Sequence, residues 1–373
     1  MRVIHIITSL EDGGAEALLY RMCLAMTSHC HIVISLKNGG KYGPLLEDAG
    51  IKVYQLNMLG LVSFLPSFLR LYNILKLEEP DIVQTWLYHA DLFGGLCAKL
   101  ARVKKIFWGI HNTSLKFGRS SLSSQIAVRL LALFSYWIPQ KIICCSKASL
   151  DIHEKMGYRS SKLVLIHNGY DTTIFRPKKN SRTKIRCQLK IKHNELLLGM
   201  VARFHPQKDH KTFLEALQIL KENKGLKFRC LFVGAGIEKL KNEVLLAGLE
   251  EFVILHSATN DISSVYNALD ILILSSAFGE ACPNVIAEGM SCGIPCVATD
   301  IGDTKFIIGK TGIVVPPKEP TLLADAIEEL AELRPSDQWV KTKLAARERI
   351  IDHFSLAQML DNYQRTWLSV VVS

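Results

Sequence analysis

Short apolar runs recur along the whole chain and alternate with segments of helical length and period. Such runs are typical of strands that are buried on both faces of a parallel sheet. Their alternation with helices predicts βαβ units with right-handed crossovers. Two series of strands are predicted: Val3–Ile7, His31–Leu36, Lys52–Leu56, Asp81–Gln84, Lys105–Ile110, Lys141–Cys145 and Leu163–His167 in the first, and Leu196–Val201, Phe228–Val233, Val253–Leu255, Ile271–Leu274, Pro295–Ala298 and Gly312–Val315 in the second.

A turn-rich and charged passage, from Asn168 to Arg182, separates the two series and has the composition of a linker. A length of 373 residues, 49% of them hydrophobic, suits two domains with a core each. We therefore predict an α/β protein with two Rossmann-like, doubly wound domains. Joined in this way, the domains would face each other across a central cleft that is lined by the carboxyl ends of their strands.

The basic residues are unevenly distributed along this chain of net charge +10. No acidic residue occurs between Asp91 and Asp151, where Lys99, Arg102, Lys104, Lys105, Lys116, Arg119, Arg129, Lys141 and Lys147 are interleaved with aromatic residues. This combination favours an anionic membrane surface or nucleic acid, and a solvated basic face over an ordinary core accounts for it equally well. No nucleic-acid-binding module is visible, so nucleic acid is not an expected partner.

The compartment is predicted from targeting signals and cysteines. The first residues, Met1 to Thr8, form a strand pattern without the apolar stretch and cleavage site of a signal peptide. No apolar run reaches the roughly 20 residues of a membrane span. The ten cysteines show no metal-ligand or redox spacing. We expect reduced thiols in a cytoplasmic protein, with peripheral attachment to the cytoplasmic face of a membrane as an option.

The segment from Glu280 to Glu288 carries the strongest indication of a binding site. It follows the strand Ile271–Leu274 and runs into a helix that Pro283 is expected to start. Asn284 and Val285 would then present the free N–H groups of the first helical turn, where anions bind well. A carboxylate on either side of such an anion site suits a long polar ligand with a phosphate in its middle, such as a sugar nucleotide.

Four further loops at predicted strand ends carry residue types suited to ligand binding. Paired Gly13 and Gly14 follow the first strand and would let the backbone approach a ligand closely. His111 follows the fifth strand and could hydrogen-bond a sugar hydroxyl, although a single histidine is more often structural. Arg203 and Lys208 offer a planar fork and a point charge, which together suit a diphosphate. The turn at Gly234 resembles one beneath a nucleotide, although such turns occur in all α/β folds.

Taken together, these residues resemble the retaining glycosyltransferases of family 4, which have the GT-B fold and include enzymes of bacterial cell-surface polysaccharide synthesis. Nearly the whole chain takes part in the resemblance. Its motifs are Gly13 to Glu16, Val201 to Asp209 and Glu280 to Glu288, together with His111 and a hinge-like entry at Asn168 and Gly169. The resemblance implies an acceptor-side domain at 1–170, a nucleotide-sugar domain at 171–353 and a C-terminal helix at 354–373 that crosses back onto the first domain.

The resemblance also assigns roles. It implies that Arg203 and Lys208 hold the donor diphosphate, that Glu280 contacts the donor sugar and that Glu288 contacts the ribose. His111 matches the family's histidine near the donor sugar. The expected catalytic residues are Glu280, His111, Arg203 and Lys208. The expected donor-binding residues are Gly13, Gly14, Arg203, Lys208, Gly234, Asn284, Val285 and Glu288.

The implied reaction is transfer of a sugar from a nucleotide diphosphate sugar to an acceptor hydroxyl with retention at the anomeric carbon. The expected acceptor is a lipid-linked saccharide in the synthesis of lipopolysaccharide, capsule or exopolysaccharide. No metal or other cofactor is expected, because Arg203 and Lys208 would take the place of a divalent ion and no paired acidic motif follows a strand. Ser257 and Thr259 depart from the Gly and Arg frequent in the family, so GDP stays open beside UDP.

Other functions remain open at this stage. Sugar-nucleotide 2-epimerases share the two-domain architecture, but they need no open acceptor side. A non-catalytic subunit of a transferase complex would be expected to lose Glu280, Arg203 or Lys208, and all three are present. The glycine loop and the basic, aromatic first half favour transfer.

Overall fold

The computed structural model describes residues 1–58, 60, 63–111 and 122–370, without the side chains of 122–125. The chain forms two compact units. The first unit contains Met1–Gly169 and the segment from Ala357 onward, and the second contains Tyr170–Leu356.

The first unit is built on a seven-stranded parallel sheet. Its strands are β1 (Arg2–Ile7), β2 (Cys30–Ser35), β3 (Lys52–Gln55), β4 (Ile82–Trp86), β5 (Lys105–Ile110), β6 (Lys141–Cys144) and β7 (Leu163–Leu165). They lie in the order β3-β2-β1-β4-β5-β6-β7. Most of their side chains are buried, as expected for a parallel sheet with helices on both faces.

The second unit repeats this plan with six parallel strands. They are β8 (Leu196–Val201), β9 (Phe228–Val233), β10 (Val253–His256), β11 (Ile271–Leu274), β12 (Cys296–Thr299) and β13 (Ile313–Val315). Their order is β10-β9-β8-β11-β12-β13, so the sheet grows outwards in both directions from the pair of β8 and β11.

Helices connect the strands and cover the sheets. In the first unit they are α1 (Gly14–Ala25), α2 (Tyr42–Asp48), α3 (Phe64–Glu78), α4 (Tyr88–Leu100), α5 (Leu122–Phe134) and α6 (Lys147–Lys155). The later helices are α7 (Lys179–Gln188), α8 (His210–Glu222), α9 (Lys241–Leu246), α10 (Ile262–Ala268), α11 (Asn284–Ser291), α12 (Thr304–Ile308), α13 (Pro320–Glu332), α14 (Asp337–Phe354) and α15 (Leu356–Leu368). Short 3₁₀ turns occur at Ser160–Lys162, Pro206–Lys208 and Ile237–Leu240.

The predicted fold class is confirmed. Every predicted strand is present, and the bounds differ by no more than a few residues. The largest differences are at Asp81–Gln84, where the strand is Ile82–Trp86, and at Leu163–His167, which ends at Leu165. The strand β4 continues beyond its predicted end at Gln84, because Thr85 and Trp86 are also fully buried in the same sheet.

The strand orders determine where ligand-binding loops can lie. Each sheet reverses its direction of growth at one pair of neighbouring strands, β1 with β4 in the first unit and β8 with β11 in the second. The loops that leave such a pair diverge and open a crevice at the carboxyl edge of the sheet. In the second unit these are the loops after Val201 and after Leu274, which carry the predicted Arg203, Lys208 and Glu280.

The C-terminal helix α15 packs against the sheet of the first unit. Met359, Tyr363 and Trp367 recur every four residues, lie on one face of the helix and are buried. The Trp367 indole N–H donates to Gln84 Oε1 at 3.2 Å, and the Lys105 ammonium donates to the Trp367 carbonyl at 3.2 Å. Helix α15 is therefore part of the first unit's core.

Among the described residues, no helix combines the length and the apolar character required to cross a bilayer.

Replacing Trp367 with alanine should destabilise the first unit by about 3–5 kcal/mol, because it removes a fully buried aromatic side chain and leaves a cavity. Urea unfolding followed by tryptophan fluorescence measures this loss, since Trp86 and Trp108 in the same unit remain as reporters. The matched control is Leu368→Ala at a 53% exposed neighbour, which should change the free energy of unfolding by about 0.5 kcal/mol or less. Equal effects of the two substitutions would contradict the packing described here.

Candidate functional site

The loop that carries Arg203 and Lys208 is held in place by backbone hydrogen bonds to the loops that follow β9 and β11. The Phe204 N–H donates to the Ala235 carbonyl at 2.8 Å, and the Ala277 N–H donates to the Gln207 carbonyl at 2.8 Å. Ser275 Oγ also donates to the Lys208 carbonyl at 2.9 Å. The loop is therefore fixed to the ends of β9 and β11, which are the strands on either side of β8.

Lys208 and Glu280 form an ion pair beside the point where the strand order reverses. Lys208 Nζ lies 2.6 Å from Glu280 Oε1, with side-chain exposures of only 15% and 9%. Ser276 Oγ donates to the same carboxylate oxygen at 2.7 Å. Arg203, five residues before Lys208, is exposed and makes no hydrogen bond or ion pair with any residue that the structure describes. The site thus combines one paired cation with one cation available to a ligand.

Gly302, which follows β12, packs against the backbone of the Glu280 loop. Gly302 has a φ of +62°, and a Cβ there would lie 2.3 Å from the Glu280 carbonyl oxygen. The Asp303 N–H donates to the Ala281 carbonyl at 3.0 Å. Only a glycine permits this approach of the two backbones. Gly302 consequently lets the backbone of the Glu280 loop lie directly against the turn after β12.

Helix α11 begins directly after this loop. Pro283 is its N-cap and Asn284 is its first residue. The helix therefore begins one residue later than expected, because Pro283 precedes the first helical position instead of occupying it. The N–H groups of Asn284 and Val285 lie in the first turn, where an α-helix offers no intrahelical acceptor, and they carry the positive end of the helix dipole. Tyr170 donates its hydroxyl hydrogen to Asn284 Oδ1 at 2.9 Å. This contact orients the first residue of the helix.

Glu288 lies further along α11 and is held separately from Glu280. The buried Tyr266 hydroxyl donates to Glu288 Oε2 at 2.9 Å. Burial raises the pKa of the Tyr266 hydroxyl, and the neighbouring Glu288 charge raises it further, so the tyrosine remains a donor. The two glutamates are therefore fixed by different partners, Lys208 with Ser276 for one and Tyr266 for the other.

Gly234 is placed where a side chain could not fit. A Cβ at this position would lie 2.0 Å from the Ala202 carbonyl oxygen and 3.0 Å from the Arg203 amide nitrogen. The turn after β9 therefore packs directly on the backbone that presents Arg203. The structure brings Gly234 and Arg203 together, as expected of two donor-binding loops.

In the first unit, Gly13 and Gly14 lie at the start of α1, after β1. Gly13 is the N-cap and Gly14 the first helical residue. A Cβ at Gly13 would lie 2.2 Å from Glu16 Oε2, so the missing side chain makes room for this carboxylate. Burial raises the pKa of Glu16, and Asp12 and Glu11 nearby raise it further. The position of Glu16 thus favours a glycine at position 13, independently of any role of Gly13 in ligand binding.

His111 follows the end of β5 and stacks on Trp86, with ring centroids 5.1 Å apart and an interplanar angle of 14°. Both ring nitrogens are shielded from solvent, and neither has a hydrogen-bond partner within the described ranges. Burial lowers the pKa of the imidazole to about 4, so the ring is neutral at physiological pH. A neutral imidazole with an unused donor and acceptor is suited to a sugar hydroxyl. Asn112 lies outside the described residues.

One group of side chains in the first unit has the spacing of metal ligands, namely His5, Cys23 and His31. Hydrogen bonds define its protonation. The Trp86 indole, which can only donate, lies 3.2 Å from His5 Nδ1, and the Met26 carbonyl, which can only accept, lies 3.0 Å from His31 Nε2. His5 Nε2 therefore carries the hydrogen that is donated to His31 Nδ1, 3.0 Å away. The Nε2 atom of His5 is thus engaged as a donor, and the group acts as a buried hydrogen-bond chain.

Several residues that shape the site were not singled out from the sequence. They are Tyr170, Tyr266, Ser276 and Gly302. Ser276 lies two residues after the end of the strand Ile271–Leu274, and this position is the sequence signal by which it could have been found. The contributions of Tyr170 and Tyr266 could not be inferred, because their partners lie far away along the chain.

The chain matches two sequence models of protein families. Residues 12–174 match the one described as "Glycosyltransferase Family 4", and residues 195–332 match the one described as "Glycosyl transferases group 1". The first match covers most of the first unit, and the second covers β8 to α13, including Arg203, Lys208, Glu280 and Glu288.

Curated relatives of similar length come from bacteria. The chain is 24% identical to the *Escherichia coli* UDP-Gal:alpha-D-GlcNAc-diphosphoundecaprenol alpha-1,3-galactosyltransferase, with 100% of this chain and 98% of the relative covered. It is also 24% identical to the *Campylobacter jejuni* N,N'-diacetylbacillosaminyl-diphospho-undecaprenol alpha-1,3-N-acetylgalactosaminyltransferase, with 78% and 79% covered.

Solved structures share the fold. The *Anabaena* protein HepE in complex with UDP has a TM-score of 0.88 at 22% identity, with 99% of this chain and 100% of HepE covered. WaaG, a glycosyltransferase involved in lipopolysaccharide biosynthesis, has a TM-score of 0.74 at 17% identity, with 97% and 98% covered. The fold of this chain is therefore GT-B.

Replacing Gly302 with alanine should lower sugar transfer about 100-fold, because the new Cβ would displace the backbone of Glu280 by an ångström or so. The matched control is Gly225→Ala. Gly225 has nearly the same φ, +61°, but a Cβ there meets no atom within 4 Å. Both variants should lose about 1–2 kcal/mol of stability from backbone strain. If both variants keep full activity, or lose it equally, Gly302 does not position Glu280.

The imidazole of His111 should stay neutral in the folded protein down to about pH 5, because burial disfavours its charged form. Histidine NMR signals measured against pH should include one with a midpoint of about 4 that disappears in His111→Gln. In the unfolded chain the same ring takes up a proton near pH 6.5. Its contribution to stability is consequently lost as the pH falls from about 6.5 toward 4. A midpoint near 6.5 in the folded protein would contradict the burial of the ring.

Proposed function

The chain belongs to glycosyltransferase family 4, and we propose that it transfers a sugar from a UDP-linked donor to a hydroxyl group of a lipid-linked saccharide, with retention at the anomeric carbon. The observation that carries this proposal is the ion pair of Lys208 and Glu280 next to Arg203. The pair lies where the strand order of the second unit reverses, directly before the N-terminus of α11.

The donor diphosphate is assigned to Arg203, Lys208 and the first N–H groups of α11, at Asn284 and Val285. Departure of the nucleotide diphosphate builds negative charge on its oxygens. Preorganised cations and N–H groups stabilise that charge more in the transition state than in the ground state, which accelerates the reaction. With two cations in this position, the proposed reaction requires no metal ion or other cofactor.

Donor binding is expected to rearrange the pair of Lys208 and Glu280. In the free protein each side chain compensates the charge of the other in a largely buried place. A bound diphosphate offers Lys208 a new partner, and the hydroxyl groups of the donor sugar offer donors to the Glu280 carboxylate. Ser276 keeps one hydrogen bond to Glu280 during this exchange. In this way the positive charge of Lys208 would lie on the phosphate side of the bond that breaks, and the negative charge of Glu280 on the sugar side.

Glu288 is assigned to the ribose from the family resemblance, and its carboxylate is held by Tyr266 rather than by Lys208 or Ser276. Gly234 packs under the Arg203 backbone and would admit the nucleotide close to the end of β9. The complex of HepE with UDP, which shares the fold, supports UDP over GDP as the nucleotide.

The acceptor is assigned from the names of the relatives. Both curated relatives act on diphosphoundecaprenol-linked saccharides and form alpha-1,3 linkages. Common UDP-hexoses are α-linked, so an α-linked product corresponds to retention. In the proposed step the bond from the anomeric carbon to the β-phosphate oxygen breaks, and a bond to the acceptor oxygen forms on the same face. The acceptor proton passes to the leaving phosphate oxygen.

The first unit would contribute His111, Gly13 and Gly14. The neutral His111 imidazole would hydrogen-bond a hydroxyl of the transferred sugar, and the glycine loop would allow close approach at the start of α1. The reaction would take place at the cytoplasmic face of the membrane during synthesis of a surface polysaccharide.

The experiment combines a panel of nucleotide sugars with an undecaprenyl-diphosphate saccharide as the acceptor, and it determines the product's anomeric configuration by NMR. Arg203→Ala and Lys208→Ala should each lower turnover about 10²–10³-fold, the usual effect of removing one group that stabilises the developing charge. Glu288→Ala should mainly weaken the binding of free UDP, whereas Glu280→Ala should mainly lower transfer.

Lys211→Ala is the matched control, since Lys211 lies three residues beyond Lys208 and its side chain is 84% exposed. It should behave like the wild type. Near-normal turnover in both Arg203 and Lys208 variants would contradict the assignment, as would an inverted product. Equal losses of UDP affinity in the two glutamate variants would show that the roles of Glu280 and Glu288 are wrong. Epimerisation of the donor without transfer would favour the isomerase alternative.

A further inference from the structure

Helix α5 in the first unit has an unusual surface composition. From Ile126 to Phe134, Arg129 is its only polar side chain. A helix that is apolar on all sides is normally enclosed by protein or by lipid. Here the described residues enclose only one side. Val128 and Leu131 are buried in the core of the first unit, while the opposite face of the helix is exposed.

The exposed side forms a continuous stripe, which we call the α5 face. It consists of Ile126, Leu130, Leu133 and Trp137, which recur at helical spacing. Their exposed fractions are 58%, 39%, 53% and 62%. Tyr136, beside Trp137, is also exposed. Single exposed apolar residues are common, but a contiguous stripe of large ones marks an interaction surface.

Four cations are grouped at the Trp137 end of the α5 face, and we call them the basic cluster. They are Lys99, Lys141, Arg159 and Lys162. Lys162 Nζ donates to the Tyr136 carbonyl at 2.9 Å, and the Arg159 guanidinium lies 5.6 Å from the centre of the Tyr136 ring. Burial and the three neighbouring cations lower the pKa of Lys162 to about 8. The four charges are therefore close enough to repel one another, and an anionic partner would relieve this repulsion.

The segment that forms this surface lacks compensating acids. No Asp or Glu occurs from Leu92 to Leu150, and Asp151 pairs with Lys147. The structure also narrows the set of basic residues expected from the sequence. Lys105 donates to the Trp367 carbonyl of α15 and is not one of the four cations of the basic cluster. Lys116 and Arg119 lie outside the described residues.

We propose that the α5 face and the basic cluster dock on the surface of an anionic lipid bilayer. The helix would lie in the interfacial plane, with its aliphatic side chains among the upper acyl chains. Trp137 and Tyr136 would lie at the level of the headgroups, where aromatic side chains are enriched. The four cations of the basic cluster would contact lipid phosphates and carboxylates.

A second copy of this chain is a less suitable occupant. Two copies that met symmetrically would place α5 face against α5 face, and the cations of the basic cluster would meet no acidic residue among those that form either surface. Their charges would therefore remain uncompensated. An anionic bilayer instead complements the stripe and the cations at the same time.

This inference adds a partner to the proposed function at a surface that contains none of the residues assigned to the donor. It does not depend on which sugar is transferred. Docking would bring the enzyme to a lipid-linked acceptor while leaving the chemistry of Arg203, Lys208 and Glu280 unchanged.

Co-sedimentation with vesicles tests the inference. Phosphatidylcholine vesicles are compared with vesicles that also contain phosphatidylglycerol, at low and high salt. The protein should bind the anionic vesicles preferentially and lose affinity as salt rises. Arg159→Gln combined with Lys162→Gln should weaken binding about fivefold for each removed charge. Leu130→Ser combined with Trp137→Ser should weaken it by about tenfold or more.

The matched control is Lys241→Gln combined with Leu246→Ser, which removes an exposed charge and an 86% exposed leucine from α9 in the second unit. Its vesicle binding should equal that of the wild type. Equal binding to neutral and anionic vesicles, or unchanged binding of the α5 variants, would overturn the inference. So would sedimentation velocity showing a dimer that the Leu130 and Trp137 substitutions abolish.

A water-soluble acceptor analogue separates this inference from the proposed function. The α5 variants should keep wild-type transfer to the soluble analogue and lose transfer only to an acceptor embedded in anionic vesicles. Vesicle binding without any sugar transfer would leave the docking surface standing and reject the proposed function.

Discussion

The ion pair of Lys208 and Glu280 joins two loops of the candidate site, and the strand order of the second unit brings these loops together. Taking two charges out of water is unfavourable unless each is compensated, and here the pair is largely buried. The two residues belong to loops that leave β8 and β11, strands that are neighbours only because the sheet reverses its direction of growth there. The reversal thus creates the place where the opposite charges meet, and in the proposed function a donor diphosphate would separate them there.

Backbone contacts maintain this arrangement. Gly234 and Gly302 bring loops so close together that no side chain would fit, and both act on the loops that carry Arg203 and Glu280. Their effect on chemistry is indirect, because they determine where the charged groups stand. Tyr266 and Ser276 complete the arrangement by orienting the two carboxylates with hydrogen bonds. A geometry fixed in this way before the donor binds requires little reorganisation during the reaction.

The first unit contains two helices whose apolar faces are covered to different extents. Its sheet is closed at one side by the C-terminal helix, whose Tyr363 and Trp367 pack near Trp86 and the histidine chain. On another side, α5 leaves an apolar stripe uncovered next to a group of cations that repel one another. The C-terminal helix buries its apolar face on the sheet and is bonded to Gln84 and Lys105, whereas the described residues leave the α5 face exposed. This contrast is the physical basis for assigning the α5 face to a lipid surface.

The sequence by itself determined the strands, because apolar runs separated by helical segments can be buried only in a parallel sheet with helices on both faces. It also identified Arg203, Lys208, Glu280 and Glu288 as candidates, since their loops follow strands and precede helices. Only the tertiary structure decided that Lys208 pairs with Glu280, that Gly302 supports the Glu280 loop and that Tyr266 orients Glu288. The partners in these contacts lie tens of residues apart along the chain, and local patterns do not specify which distant loops meet. Pairing of that kind is determined by strand order and packing, which arise only when the sheet is assembled.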